Sequence, residues 1–331
     1  MQELAYSKIV LSDELDRSTL IDDAYVGKAL VDYFPSTLRK LHPAAIAKHP
    51  LRREIIATVV ANTMINRTGS IFVHRMQEET GASPEEVVRA YILVRDIYGL
   101  DPLWLEIDAL DNKVPAKLQY ELLINVGRVL LRAVLWFLRR RRERLPIAQV
   151  LEIFRPSLGA LGKQVPAVLS PGDRAAWEAY VHQLTTSGVP KGLAERLASL
   201  ESLYAVLDVT EVASETKKGI DAIAAVYFAI VGELDLRWLA EKITALPTET
   251  SWQALARNAL RDDLASQQRA ITQSIAKISD SKDPAQMLAA WKERYGPGIA
   301  RLESMVKDLK GQGTLDLAVL SVLLRELRGL A

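Results

Sequence analysis

Residues 51–99, LRREIIATVVANTMINRTGSIFVHRMQEETGASPEEVVRAYILVRDIYG, decide the fold class. Ile55, Ile56, Val59, Val60, Thr63 and Met64 recur at helical spacing and form a broad apolar face. A long helix is therefore expected from about Leu51 to Asn66, with Gly69 placed to end it. Ser83-Pro84-Glu85-Glu86 is a start signal: a capping serine, a proline in the first turn, then acids at the positive end of the helix dipole. The helix it opens is expected to reach Tyr98, where Gly99 stops it.

The same stretch sets Asn62, Asn66, Arg67 and His74 into apolar surroundings, which allows two readings. They converge on a ligand, or they are the polar end of a buried helix pair. Asn62 and Asn66 stand one turn apart and are surface neighbours. Asn66 is placed to satisfy the open carbonyls of a helix exit. A lone histidine such as His74 is more often a hydrogen-bonded structural residue than a ligand. The four are read as a structural polar cluster.

Composition narrows the function classes. The chain has 331 residues, 49% of them hydrophobic, enough for a substantial core without staples. It has no cysteine, which excludes disulfides, thiolate zinc sites and a cysteine nucleophile, and agrees with a cytoplasmic location. The four histidines show no metal-ligand spacing. A net charge of +1 supplies no global field for nucleic acid or membrane. The start, MQELAYSKIV, has no basic region followed by an apolar one, so no signal peptide is expected. Pro115 to Leu138 is about 36 Å long if helical, enough to span a bilayer. Lys117, Glu121, Asn125, Arg128 and Arg132 nevertheless draw one polar stripe along it, as in a soluble amphipathic helix.

Along the chain, a first helix is expected in ELAYSKIVLSDEL and a second in IDDAYVGKALVDYF, capped by Asp22 and Asp23. Pro35, Pro43 and Pro50 cut the next stretch into short pieces. From residue 155 to 173 the composition shifts to Pro156, Gly159, Gly162, Pro166, Pro171 and Gly172, read as a joint. Lobes are thus expected at 1–154 and 174–331, the second with helices near 173–186, 190–208, 215–232, 235–245, 251–279, 284–308 and 313–329. Asp283-Pro284 and Thr314 mark starts of the later ones. The fold expected is all-α, an elongated two-lobed helical bundle. The halves echo each other: Glu79-Thr80 and Tyr91 match Glu215-Thr216 and Tyr227 at an offset near 136. GLDPLWLEIDAL (99–110) resembles ELDLRWLAEKITAL (233–246), pairing Leu100, Asp101, Trp104 and Leu105 with Leu234, Asp235, Trp238 and Leu239. An internally duplicated helical unit is expected.

A search for chemistry assigns no catalytic, cofactor-binding or metal-binding residue. No G-x-G-x-x-G or G-x-S-x-G occurs, and SLGALGKQVP (157–166) has the wrong spacing for a phosphate loop. Asp13, Glu14, Asp16, Asp262 and Asp263 read as solvated or capping charge. From Lys113 to Arg144 there are nine basic and two acidic residues, ending in RRRRER. Arg139, Arg140, Arg141 and Arg142 are a candidate interaction patch for an acidic partner, or simply a favourable helix-end charge.

REIIATVVANTMINRTGSIFVHRMQEETGAS (53–83) closely resembles the C-terminal helical region of the large bacterial NAD-specific glutamate dehydrogenases. The likeness includes LAYSKIVLSDEL, IDALDNKVPAKLQYEL, SWQALARNALRDDL and LDLAVLSVLLRELRGL, the last similar to that family's C-terminus. The resemblance implies a tail following a dehydrogenase core that converts L-glutamate and NAD to 2-oxoglutarate and ammonia. It places the Rossmann glycines of the NAD site and the glutamate-binding lysine upstream, with no such residue in this chain. It implies as partners the upstream catalytic domain of the same polypeptide and neighbouring subunits of a homo-oligomer. The alternatives are a free-standing helical adaptor that binds an acidic partner, and an independent helical enzyme.

Overall fold

The computed structural model describes residues 7–140, 145–311 and 315–331. Among them are eighteen α-helices, one short 3-10 helix and no strand, so the fold is all-α. Cα packing divides the chain into two compact units: Met1–Pro156 with Thr185–Leu200, and Ser157–Leu184 with Glu201–Ala331.

The first unit holds α1 (Lys8–Asp16), a 3-10 helix (Thr19–Asp22), α2 (Lys28–Tyr33), α3 (Ser36–Leu41), α4 (Pro43–Ala47), α5 (Arg52–Thr68), α6 (Phe72–Thr80), α7 (Pro84–Ile97), α8 (Leu100–Asp108) and α9 (Ala116–Arg140). Residues 3–6 of the expected first helix lie outside the described residues. Its remainder is α1, capped by the Ser7 hydroxyl accepting from the Val10 N–H at 3.2 Å. The second expected helix is corrected. Asp22 and Asp23 do not cap a helix through Tyr33, because each is engaged elsewhere. Asp22 pairs with Arg53, and Asp23 accepts from the N–H groups of Tyr25 and Ile147, so α2 starts only at Lys28.

The residues that decide the fold behave as their chemistry dictates. α5 buries Ile56, Val60 and Met64. It ends at Gly69, whose φ of 82° is in a region other residues rarely adopt and whose N–H returns to the Ile65 carbonyl. The exit is closed by Gly69 and by the Thr68 hydroxyl donating to the Met64 carbonyl at 2.8 Å, rather than by Asn66, which is exposed. Ser83 and Glu86 form a reciprocal capping box at the start of α7. In α9 the polar stripe is exposed or half-buried at every position, opposite the buried Leu122, Val126, Val129 and Ala133. No described helix is long and apolar enough to cross a membrane.

The chain continues through α10 (Ile147–Val168), α11 (Pro171–Thr186), α12 (Lys191–Leu203), α13 (Val206–Thr216), α14 (Ile220–Glu233), α15 (Leu236–Thr244), α16 (Ser251–Ile278), α17 (Pro284–Lys310) and α18 (Leu317–Arg328). Pro156, Gly159, Gly162 and Pro166 all lie within α10. The helix expected over 190–208 is instead two, broken at Tyr204 and Ala205. Thr314 lies outside the described residues, and α18 starts at Leu317 with Asp316 accepting from the Val319 N–H at 2.9 Å. The core of the second unit surrounds the fully buried Trp291 and draws on α14 to α18.

Two four-helix stretches run in step. α7 and α8 begin at Pro84 and Leu100, α14 and α15 at Ile220 and Leu236, each shifted by 136 positions. Two left-handed positions follow the same shift, Gly81 to Lys217 and Gly99 to Asp235. Thr80 and Thr216 each donate back to a carbonyl four residues earlier. Within each stretch the same helices pack: α6 on α7 and α9, α7 on α8 and α9, α8 on α9, and likewise for α13 to α16. This register corrects the pairing of Trp104 with Trp238. Buried Leu100, Leu103 and Ile107 fall on buried Leu236, Leu239 and Ile243, because the helix is phased by its apolar face and by the turn before it.

Candidate functional site

The structure does not gather Asn62, Asn66, Arg67 and His74 around one point. Asn62 is half-buried on α5 and Asn66 is exposed. The Arg67 guanidinium turns to α8, donating to the Asp108 carboxylate at 3.2 Å and lying 5.0 Å from the Trp104 ring centre. His74 pairs along its own helix with Glu78, 3.2 Å away. Arg67 therefore joins α5 to α8, while His74 trims the surface of α6.

The basic stretch is partly engaged within the chain. Arg139 faces Glu79 of α6 at 3.8 Å, and Arg140 is half-buried. Arg141 and Arg142 lie outside the described residues.

Beside α8 is a charged cluster that spacing did not reveal. Arg95 pairs with Asp96 at 2.8 Å and with Asp101 at 3.4 Å. Burial opposes the Arg95 charge, but Asp96, Asp101 and the Tyr91 phenol together outweigh it and raise its pKa. Burial also raises the Asp101 pKa from its ordinary value, with Arg95 opposing. Tyr91 is fully buried, its phenol is pushed above its ordinary pKa by desolvation, and its hydroxyl has no hydrogen-bond partner. The cluster fastens helices and presents no nucleophile beside a base.

A cavity of about 520 Å³ opens in the first unit. Thr19, Asp22, Asp23, Glu85, Glu86 and Arg89 supply its polar wall, and Leu93, Phe137 and Val150 part of its apolar one. Its carboxylates already have structural work. Asp22 holds Arg53, Glu85 accepts from the Thr19 hydroxyl at 2.7 Å, and Glu86 accepts from the Ser83 N–H at 2.8 Å. Sequence reading identified Glu85 and Glu86 only as helix-start acids, because other walls come from positions up to 67 residues away in the chain. No group of three or more side chains suited to a metal occurs among the described residues.

Helix termini, ion pairs and a small acid-lined cavity, with no strand among the described residues, define an all-α domain with a repeated four-helix arrangement. The family model described as "Glutamate dehydrogenase, C-terminal" matches residues 4–329, and the chain belongs to that family. It is 38% identical over 329 residues to the NAD-specific glutamate dehydrogenase of Pseudomonas aeruginosa, covering 99% of this chain and 20% of that protein. The protein of that name from Halomonas elongata is 32% identical over 329 residues, again with 20% of its length covered. That of Mycobacterium tuberculosis is 28% identical over 326 residues. The chain therefore spans 20% of the length of the curated relatives it matches.

Proposed function

We propose that this chain is the C-terminal structural and regulatory domain of a NAD-specific glutamate dehydrogenase whose catalytic core lies outside it. The observation carrying this reading is the family match from residue 4 to 329, combined with relatives of which the match covers only 20%. In this reading the parent polypeptide oxidises L-glutamate with NAD to 2-oxoglutarate and ammonia. NAD binds upstream, and the helical domain packs on the catalytic core or a neighbouring subunit of a cytoplasmic homo-oligomer. In this reading its lobes are 1–154 and 174–331, with 155–173 as the joint between them in the sequence. The repeated register of α6 to α9 and α13 to α16 supports their origin by duplication. By packing against a core that opens and closes, such a domain biases that equilibrium and hence the rate. An adaptor role through Arg139 to Arg142 has less support, since Arg139 already faces Glu79.

The test is glutamate-dependent NAD reduction by three proteins: the full polypeptide, the polypeptide lacking this region, and this chain alone. The reading expects activity in the first, changed kinetics or subunit assembly in the second, and no activity in the third. Turnover by this chain alone contradicts it.

A further inference from the structure

Residues 31–51 form two short helices and their flanking turns and bury almost none of themselves. α3 has six residues, α4 has five, and α3 contains no buried residue. Between Val31 and Leu51 only Ile46 is buried. Helices this short do not hold in water by propensity and rely on packing, which here is α3 on α4 and α4 on α2. The one ion pair within the stretch, Arg39 with Asp32 at 3.1 Å, is exposed and adds little.

What the stretch presents instead is apolar surface. Tyr33 is 58% exposed, Leu41 66% and Leu51 55%, with Val31 and Leu38 also exposed. Leu38 and Leu41 are three apart and share one face of α3. Tyr33 meets Phe34 edge-on at 5.3 Å, and Phe34 lies 5.7 Å from the His49 ring. These contacts tie the end of α2 to the turn before α5. α2 packs on α4 and α5, and α3 packs on α4, so the exposed groups share one small subassembly.

We propose that α2 to α4 are the docking surface for the preceding region of the same polypeptide, which meets Tyr33, Leu38, Leu41 and Leu51 with an apolar face of its own. The occupant follows from the length outside this chain. The relatives hold four-fifths of their length outside the matched region, the family is the C-terminal one, and its match starts at residue 4. In a polypeptide of that form, covalent tethering gives the preceding region a high effective concentration at this surface. This inference rests on the proposed function and adds the surface through which the domain acts.

Amide hydrogen exchange tests it, comparing this chain with the native full-length polypeptide. The expected result is exchange over residues 36–47 slowed at least about tenfold in the full-length form, with α5 equally protected in both. Introducing Leu38→Glu with Leu41→Glu into the full-length form restores fast exchange there. In the 331-residue chain the same pair leaves the melting temperature unchanged, since both side chains are already exposed. Equal exchange in the two forms overturns the docking surface while leaving the proposed function intact. Protection in the isolated chain that rises with concentration, together with a doubled mass, assigns the face to a second copy and overturns it too. A native polypeptide no larger than this chain defeats the proposed function itself, and intact mass reads that out before exchange is measured.

Discussion

Tyr91 and Tyr227 occupy the same place in two four-helix stretches, 136 positions apart, yet only Tyr227 places its hydroxyl near an acceptor. It donates to the Asp208 carboxylate at 3.3 Å, whereas the position corresponding to Asp208 in the first stretch is Phe72. The Tyr91 hydroxyl is buried without a partner. Opposite responses follow. Tyr91→Phe removes an unsatisfied polar group and is expected to stabilise by about 1 kcal/mol, while Tyr227→Phe destabilises by a similar amount. Urea denaturation of both variants checks the signs.

The turns preceding α7 and α14 make a second pair. Ser83 caps α7, while Gly219 starts α14 with no side-chain cap. Ser83→Ala is expected to cost about 1 kcal/mol. Gly219→Ser should gain a few tenths of a kcal/mol, since its backbone is already extended and a Cβ there meets nothing within 4 Å. One residue pair earlier, Lys217 adopts a φ of 56° where the first stretch has Gly81. Lys217→Gly is expected to be neutral to stabilising, and Gly81→Ala to cost about 1 kcal/mol. Thermal melts of the four variants test the shared register.

Much of this was legible in sequence for a physical reason: caps, glycine stops and helical periodicity are local. The start at Ser83-Pro84, the stops at Gly69 and Gly99 and the amphipathic α9 needed only neighbours to be read. What failed depended on distant partners. Asp22 and Asp23 looked like caps but are engaged by Arg53 and by the Ile147 N–H, 31 and 124 positions away. The cavity joins Thr19, Glu85 and Val150, a combination that no spacing rule encodes. Arg67 is drawn to Asp108, 41 positions on, which no local pattern signals.

Trp291 anchors the second unit. Its indole Nε1 donates to the Leu330 carbonyl at 3.0 Å, and the side chain is fully buried. Trp291→Phe is expected to destabilise by roughly 1–3 kcal/mol through the orphaned carbonyl. Trp291→Ala adds a cavity and should cost about 3–5 kcal/mol. Near-ultraviolet dichroism and denaturation report both.

Asp101 gives a pH dependence with a definite sign. Its folded-state pKa is raised, so the ionised form costs stability above that pKa, and the cost disappears as the pH falls below the unfolded-state value of about 3.9. Half-exposed, it is screened by solvent. Asp101→Asn is expected to leave stability at pH 7 unchanged or higher by at most about 0.5 kcal/mol, the difference from the parent vanishing near pH 3. A lower stability for the variant at pH 7 would show that the Arg95 contact outweighs desolvation.

The central claim is that the chain is one domain of a much larger dehydrogenase polypeptide. An antibody raised against it, used on lysate of the source cells with proteolysis controlled, measures that directly. The account predicts a band at about five times the 36.8 kDa of this chain, matching its 20% share of the relatives. A band at 36.8 kDa contradicts it.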